Sequence, residues 1–334
     1  MVWNQSLGER KMELFKYREP IKLMNKSKRF GVLSIVVILL SLGLVLSKGF
    51  NYGIDFDGGT LIQLKYEGKA PLDNVRSKLE TDSKYKGASV TFFGSDDEIV
   101  IRTKSSSGAV SEDVGDEIRT LLKETGSFEV RRVDMVGPKI GSELKEKGLM
   151  AMLLAIIGIL IYVSLRFEWR FALASVMALV HDVTIAMGAI VLFDVEVNLD
   201  ILAAILTILG YSLNDTIIVF DRIREGIRTI KNPDLAKIID ESVTRTLSRT
   251  TLTSLTTFLV VLTLYLFGGE IIKGFSFTLL VGIIVGTYSS IFVASPVLLW
   301  LGFDVGGFRE KEALKEKREK EKEKMRAMYE QGTV

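Results

Sequence analysis

The chain has no cysteine and a single histidine, His181, among its 334 residues. The first absence excludes disulfides and thiolate metal sites. The second leaves one imidazole for acid–base work, so neither a metal centre nor a histidine-based catalytic cluster is expected. Proline is scarce, with five residues, which lets long helices run with few interruptions. An excess of charge is lacking too: 43 lysines and arginines stand against 41 aspartates and glutamates, and no nucleic-acid partner is expected. What the chain does have is apolar sequence, 48% of it, gathered in blocks.

The blocks are six: Phe30–Ser47, Gly148–Leu165, Phe171–Phe193, Leu199–Phe220, Thr250–Phe267 and Phe275–Gly302. Each is about 18 residues or longer, enough to cross a hydrocarbon core of roughly 30 Å as a helix. An even number of crossings puts both termini on one side. Eight basic residues precede the first block (Arg10, Lys11, Lys16, Arg18, Lys22, Lys26, Lys28, Arg29), seven lie between the fourth and fifth, and nine follow the sixth. The segment 194–198 holds none and 268–274 holds only Lys273, so both termini are expected in the cytoplasm. The first block follows a basic stretch, as a signal peptide would, but "SKGFNYG" is no cleavage site and a retained helix is expected. The organisation expected is a cytoplasmic segment 1–29, a first crossing at 30–47, an extracytoplasmic domain at 48–147, crossings two to six within 148–302, and a charged cytoplasmic tail at 303–334.

The 48–147 insertion alternates in pattern. "GGTLIQLKYEG" reads as a strand, "PLDNVRSKLETD" as a helix opened by Pro71, and "ASVTFFG" and "EIVIRT" as strands joined across Ser95–Asp97. Ser105–Ser107 reads as a turn, "SEDVGDEIRTLLKETG" as a helix capped by Ser111 and stopped by Gly126, and "SFEVRRVDMVG" as the last strand. The order βαββαβ predicts a ferredoxin-like sandwich. This segment has no histidine, nucleophile elbow or phosphate loop, so it reads as a contact module rather than an enzyme.

Within the apolar blocks the polar residues are few. His181 and Asp182 fall near the middle of the third, Asn214 and Asp215 in the inner half of the fourth, and Arg249 at the cytoplasmic mouth of the fifth. Asp221 is the next charge after Asp215. An ionised side chain at a helix centre costs about 2.5 to 3.5 kcal/mol even on a lenient scale, so such groups are paired, wet or neutral. Since the fourth helix runs inward and the fifth outward, Asp215 and Arg249 are expected to meet as a proton relay. Interhelical hydrogen bonding is the plainer role for Asp215 and Asn214, and for His181 and Asp182 the two roles weigh about equally. Gly282 and Gly286, four apart, and Gly210 are expected at helix contacts. In "NYGIDFDGGT", Gly53, Asp55, Asp57, Gly58 and Gly59 read as a tight turn rather than a cation site. The tail, dense in both signs, reads as a solvated helix or as disordered, with ribosome or anionic lipid as the less favoured contact.

These strings carry a resemblance. "NYGIDFDGGT" after a first membrane helix, "HDV" in the third, "GYSLNDTIIVFDRIRE" in the fourth and "TLSRTTLTSLTTFLVVLTLYLFGG" opening the fifth are similar to the SecD/SecF family of protein-export membrane proteins, itself related to the resistance-nodulation-division transporters. The similarity covers roughly Phe30 to Gly302. It implies half of a twelve-helix assembly completed by SecD, working in the bacterial inner membrane with the SecYEG channel, the accessory YajC, and indirectly the SecA ATPase. It implies that the proton-motive force drives late export of preproteins, with no cofactor, and that the proton path uses Asp215 and Arg249. Sodium as the coupling ion stays open, as do a small-molecule exporter and an assembly scaffold as rival functions.

Overall fold

The computed structural model describes residues 20–104 and 111–330. The expected Ser105–Ser107 turn and Arg10, Lys11, Lys16 and Arg18 of the basic leader lie outside the described residues, as does the side chain of Ser111 on which the expected cap rests. Helix α1 (Ser27–Lys48) is entered through a tight turn at Met24–Lys26. One helical turn, α2 (Ile54–Asp57), leads into a small domain made of β1 (Gly59–Tyr66), α3 (Leu72–Thr81), β2 (Ser89–Phe93), β3 (Ser95–Thr103), α4 (Ser111–Leu121) and β4 (Phe128–Val136). Then come α5 (Pro138–Arg166), α6 (Trp169–Leu192), α7 (Leu199–Thr229), α8 (Leu235–Phe267) and α9 (Glu270–Ser289). A π turn at Ser290–Ala294 continues α9 into α10 (Ser295–Trp300), and α11 (Val305–Glu330) ends the described chain. Among the described residues six helices are long and apolar enough to cross a membrane: α1, α5, α6, α7, α8, and α9 with its continuation.

The small domain is a four-stranded sheet in the order β2-β3-β1-β4, antiparallel throughout, with α3 and α4 on one face. Its core follows from strand alternation and helix spacing: Ile62 and Leu64 of β1 pair with Ile101 and Ile99 of β3, and Val75, Leu79, Val114 and Ile118 cover them. This is the expected ferredoxin-like βαββαβ sandwich. The β2–β3 connection differs from expectation: Ser95–Asp97 belong to β3, and the chain reverses at Gly94, whose φ of +79° only glycine adopts easily.

The helices outrun their apolar blocks. Helix α5 begins at Pro138 rather than Gly148, because proline suits the first helical position and Gly141 lets the helix lie against the Phe56 carbonyl. Helices α7 and α8 extend to Thr229 and from Leu235, so most basic residues expected in a loop lie on helical turns. These turns are charged and therefore invisible to hydropathy. The tail is a helix whose start is docked: Val305 and Phe308 are buried, and Arg309 donates to the carbonyls of Ile227 (2.7 Å), Ile230 (2.5 Å) and Asn232 (3.1 Å). These are orphan acceptors at and just beyond the end of α7, and the cation suits its dipole. Glu312 adds ion pairs to Arg224 and Arg228, after which the tail is a solvated helix.

Helix α7 is the spine of the bundle. Ile201, Ala204, Ile205, Ile208, Ser212, Asp215, Val219 and Ile223 recur at helical spacing on its buried side. Helix α9 lies close along it, because a β-carbon at Gly282 would stand 2.2 Å from Ile208 and one at Gly286 would stand 3.1 Å from Ser212. Gly210 does not share this role. It faces an open groove beside Ala155 and Gly158 of α5, with nothing within 4 Å of where a β-carbon would be. Gly282→Ala should therefore destabilise the bundle by about 1–3 kcal/mol, as overpacking does, while Gly210→Ala is neutral or mildly stabilising. Thermal unfolding of the purified protein in detergent would separate the two, and equal midpoints would contradict this packing.

Candidate functional site

Asp215 sits on the buried stripe of α7 with no exposed surface. Its Oδ2 accepts a hydrogen bond from Ser254 Oγ of α8 at 3.2 Å, and Ser254 in turn accepts from Thr287 of α9 at 2.8 Å. Its Oδ1 is buried and has no partner among the described residues. Such a carboxyl is thinly supplied with donors: an anion there would leave most of its acceptor capacity unmet, whereas a proton on the carboxyl removes the charge.

A second acid lies nearby in a different setting. Asp182 of α6 is also fully buried; its Oδ2 accepts from Ser212 (2.5 Å) and Ser289 (2.7 Å), and its Oδ1 lies 2.8 Å from His181 Nδ1. The His181 ring stacks on Tyr288 with centroids 5.9 Å apart and planes at 20°. The tyrosine hydroxyl reaches the Phe30 carbonyl and Ser34 of α1, both at 3.1 Å. Pro296, which cannot donate and would clash with the carbonyl four residues back in an α-helix, accounts for the π turn that follows Ser289.

The other expected residues are not drawn together. Among the described residues no ion pair joins Asp215 to Arg249: the arginine is exposed, and Ser254 occupies the place expected for it. The offset explains this. Five residues separate Arg249 from Ser254, about 7.5 Å along α8 and 140° around it, so the two face different ways. Asn214, one residue from Asp215 on α7, is likewise exposed and ties no helices together among the described residues. Asp221 pairs with Arg166 at 3.0 Å near the end of α5, away from the buried acids. Sequence reasoning missed Ser212, Ser254 and Thr287. The signal available was their helical spacing, Ser212 lying one turn before Asp215.

The "NYGIDFDGGT" segment does more than turn the chain. Asp55 accepts from the Leu199 backbone N–H at 3.0 Å, placing an anion on the N-terminus of α7. Gly53 N–H donates to the Val197 carbonyl (2.9 Å) and Val197 N–H to the Asn51 carbonyl (2.7 Å), forming a short strap beside α7. Gly58 (φ +73°) and Gly59 (φ +133°) are required sterically: β-carbons there would fall 2.8 Å from Pro138 and 2.4 Å from the Thr103 carbonyl. Asp57 is exposed, and Lys145 lies over the Tyr52 ring at 3.9 Å. Glu196, in the same α6–α7 connection, pairs with Arg102 of β3. Burial pushes the Glu196 carboxyl up, Arg102 pulls it down less strongly, and the nearby Asp55 charge adds to the push. The strap borders a cleft of about 1200 Å³ between the free face of the sheet, with Leu61 and Gln63, and the helix ends at Phe193, Phe275 and Phe277.

Six crossings around buried acids, with a ferredoxin-like domain inserted after the first, define a multi-pass membrane transport component of the resistance-nodulation-division type. Residues 117–304 match the family described as "Protein export membrane protein SecD/SecF, C-terminal", and residues 43–70 match the "SecD/SecF GG Motif". The chain belongs to the SecD/SecF family. It is similar to protein translocase subunit SecF of Helicobacter pylori strain J99, at 50% identity over 97% of this chain and 100% of that one. The SecF of Vibrio alginolyticus is 46% identical over 87% and 92% of the two chains. Among solved structures, SecDF from Thermus thermophilus, described as a translocon-associated membrane protein, superposes with a TM-score of 0.77 at 36% identity, covering 85% of this chain and 39% of that one. A SecDF in a super-membrane-facing form gives 0.64 at 34% identity over 91% and 41%. The chain thus spans about two fifths of those polypeptides.

The strap yields a pH prediction. Glu196 protonates more readily in the folded than in the unfolded chain, so its contribution is complete below the ordinary glutamate range and is lost as pH rises through the raised value. Amide exchange at Gly53 and Val197, corrected for intrinsic rates, should show protection falling over that range. Glu196→Gln should flatten the trend and Asp55→Ala should weaken the α7 cap by about 1 kcal/mol. Unchanged protection in both variants would mean the strap is held by its backbone bonds alone.

Proposed function

We propose that this chain is the SecF-type subunit of the bacterial protein-export machinery, acting with SecD in the cytoplasmic membrane to let the proton-motive force assist late preprotein movement through SecYEG after SecA has begun it. The observation that carries the reading is Asp215: a fully buried acid at mid-bundle, held by one hydroxyl, with a free oxygen. On this reading both termini are cytoplasmic and the ferredoxin-like domain faces the periplasm. YajC is an accessory partner, and sodium is the alternative coupling ion.

A partner is supported by what the bundle leaves uncovered. Asn214 and Arg249 are both exposed on membrane-spanning helices, where lipid offers them no hydrogen bonds. Helix α8, which carries Arg249, also exposes Leu255, Leu259, Val260 and Leu264. A second bundle of similar build, as SecD would supply, covers such a face and gives both polar groups an interior. Asp215 and Arg249 then serve one relay: protonated, Asp215 stays with Ser254; deprotonated, it draws the Arg249 cation inward from the subunit boundary.

The energy is sufficient. One proton crossing about 150 mV releases about 3.5 kcal/mol. That biases a two-state motion on the order of a few hundredfold. Because α7 carries Asp215 and is capped by Asp55 beneath the sheet domain, a shift of α7 is passed to the periplasmic side without further machinery.

The test is export in membrane vesicles carrying this chain with its SecD partner, at matched protein levels, comparing Asp215→Asn and Arg249→Met with the unaltered chain. Both should lose most of the export that depends on an imposed proton gradient while export driven by SecA and ATP alone persists. Undiminished gradient-dependent export in Asp215→Asn would make the carboxyl a packing element and remove the basis of the reading.

A further inference from the structure

The relay leaves His181 and Asp182 unused, although they form the most completely built polar cluster in the bundle. Both side chains are buried to within 2% of full enclosure. Asp182 receives hydrogen bonds at 2.5 and 2.7 Å from two hydroxyls and lies 2.8 Å from His181 Nδ1, a set that suits an anion when the ring carries its proton on that nitrogen. An isolated anion there costs several kcal/mol unless a positive charge stands beside it. The elements packed around it offer none. Helix α1 has no charge between Arg29 and Lys48, α9 faces it with Tyr288 and Ser289, and α7 with Ser212, followed one turn on by Asp215. The imidazole is the one group in the cluster that can become a cation.

Its second nitrogen completes the case. With its proton on Nδ1 facing Asp182, His181 Nε2 is a base, and among the described residues it is buried with no partner. Helix packing would need only the Nδ1 bond, and an unsatisfied basic nitrogen in apolar surroundings costs stability. The flat face of Tyr288, 5.9 Å away, is a surface on which an imidazolium is favoured.

We infer that His181 and Asp182 form a second proton-holding site of this bundle, in which Nε2 takes up and releases a proton beside a carboxylate held ionised by Ser212 and Ser289, and that this site is coupled to Asp215 through α7 and α9. The inference rests on the proton-driven reading above. On uptake an N–H bond forms at Nε2, giving a neutral imidazolium–carboxylate pair; on release the pair returns to a single negative charge. The coupling is geometric. Ser212 and Asp215 share one face of α7, and Ser289 and Thr287 of α9 feed the two acids across the close α7–α9 contact at Gly282 and Gly286. A change of charge at one acid is therefore registered at the other electrostatically and through the same pair of helices. Through Tyr288 it also reaches α1.

The chain's single histidine makes the test direct. The complex of the full chain with its SecD partner, labelled with ¹⁵N-histidine and reconstituted in lipid, is titrated by solid-state NMR, and the His181 signal is assigned as the one that disappears in His181→Gln. The expected result is conversion from a neutral ring protonated at Nδ1 to an imidazolium as pH falls from about 8 to 5. Asp182→Asn, lacking the counter-charge, should keep the ring neutral throughout. Asp215→Asn should move the midpoint, because the ionisable neighbour it is coupled to is gone. A ring that stays neutral in the unaltered complex over this range would overturn the site, and a midpoint unmoved in Asp215→Asn would overturn the coupling. Should Asp182→Asn fail to fold, the other two titrations decide. No export is measured, so failure of this site and failure of the Asp215 reading are told apart.

Discussion

Hydrocarbon supplies no donors to a carboxylate, so each acid inside the bundle must be held by neighbouring helices or neutralised. Asp182 and Asp215 answer this in opposite ways: the first is met by two hydroxyls and an imidazole nitrogen, the second is held by one hydroxyl. The rest of the bundle follows from serving both from α7. Ser212 and Asp215 have to lie on one buried stripe, α9 has to come close enough to deliver Thr287 and Ser289, and that approach demands glycine opposite Ile208 and favours it opposite Ser212. A larger residue at either glycine would disturb both acids as well as the packing.

Much of this was legible in the residues. Long apolar blocks are read by hydropathy because hydrocarbon thickness is fixed, and the sheet domain was readable because period-two alternation around Ile62 and Leu64 differs plainly from the four-residue spacing of Val75 and Leu79. Helix ends were not. The turns from Pro138 to Lys147 and from Leu235 to Arg249 are helical through packing and capping, which leave no apolar signature. The partners of the acids were hidden for another reason. A serine or threonine in an apolar helix can bond its own backbone, as Thr184 and Thr278 do, or reach across to another helix, as Ser212 and Ser254 do, and sequence does not distinguish these. Arg249 shows the limit of depth as a guide: matching height in two helices says nothing about facing direction.

The bundle and the sheet domain meet at several points, and three of them lie at the start of α7. Asp55 meets its first turn, the Asn51–Gly53 strap lies against Val197, and Arg102 of the central sheet holds Glu196. Beside them, glycine at 58, 59 and 141 brings the backbones of the α2–β1 turn, β3 and the start of α5 within contact of one another. A rigid joint at one end of α7 and an acid along its buried stripe make that helix the shortest mechanical route between the membrane interior and the domain.

The π turn at Ser290–Ala294 has a consequence for how this helix can vary. A π turn holds one residue more than the α-helical turn it replaces, so the faces before and after it are out of phase by one residue's rotation. On the near side that phase aims Gly282, Gly286 and Ser289 at α7 and Asp182; on the far side it buries Pro296, Val297 and Leu298. The segment behaves as an insertion whose count is set from both directions at once. A single-residue deletion within it, harmless to length and hydropathy, would rotate one face out of register and leave either the acid or the core without its partner.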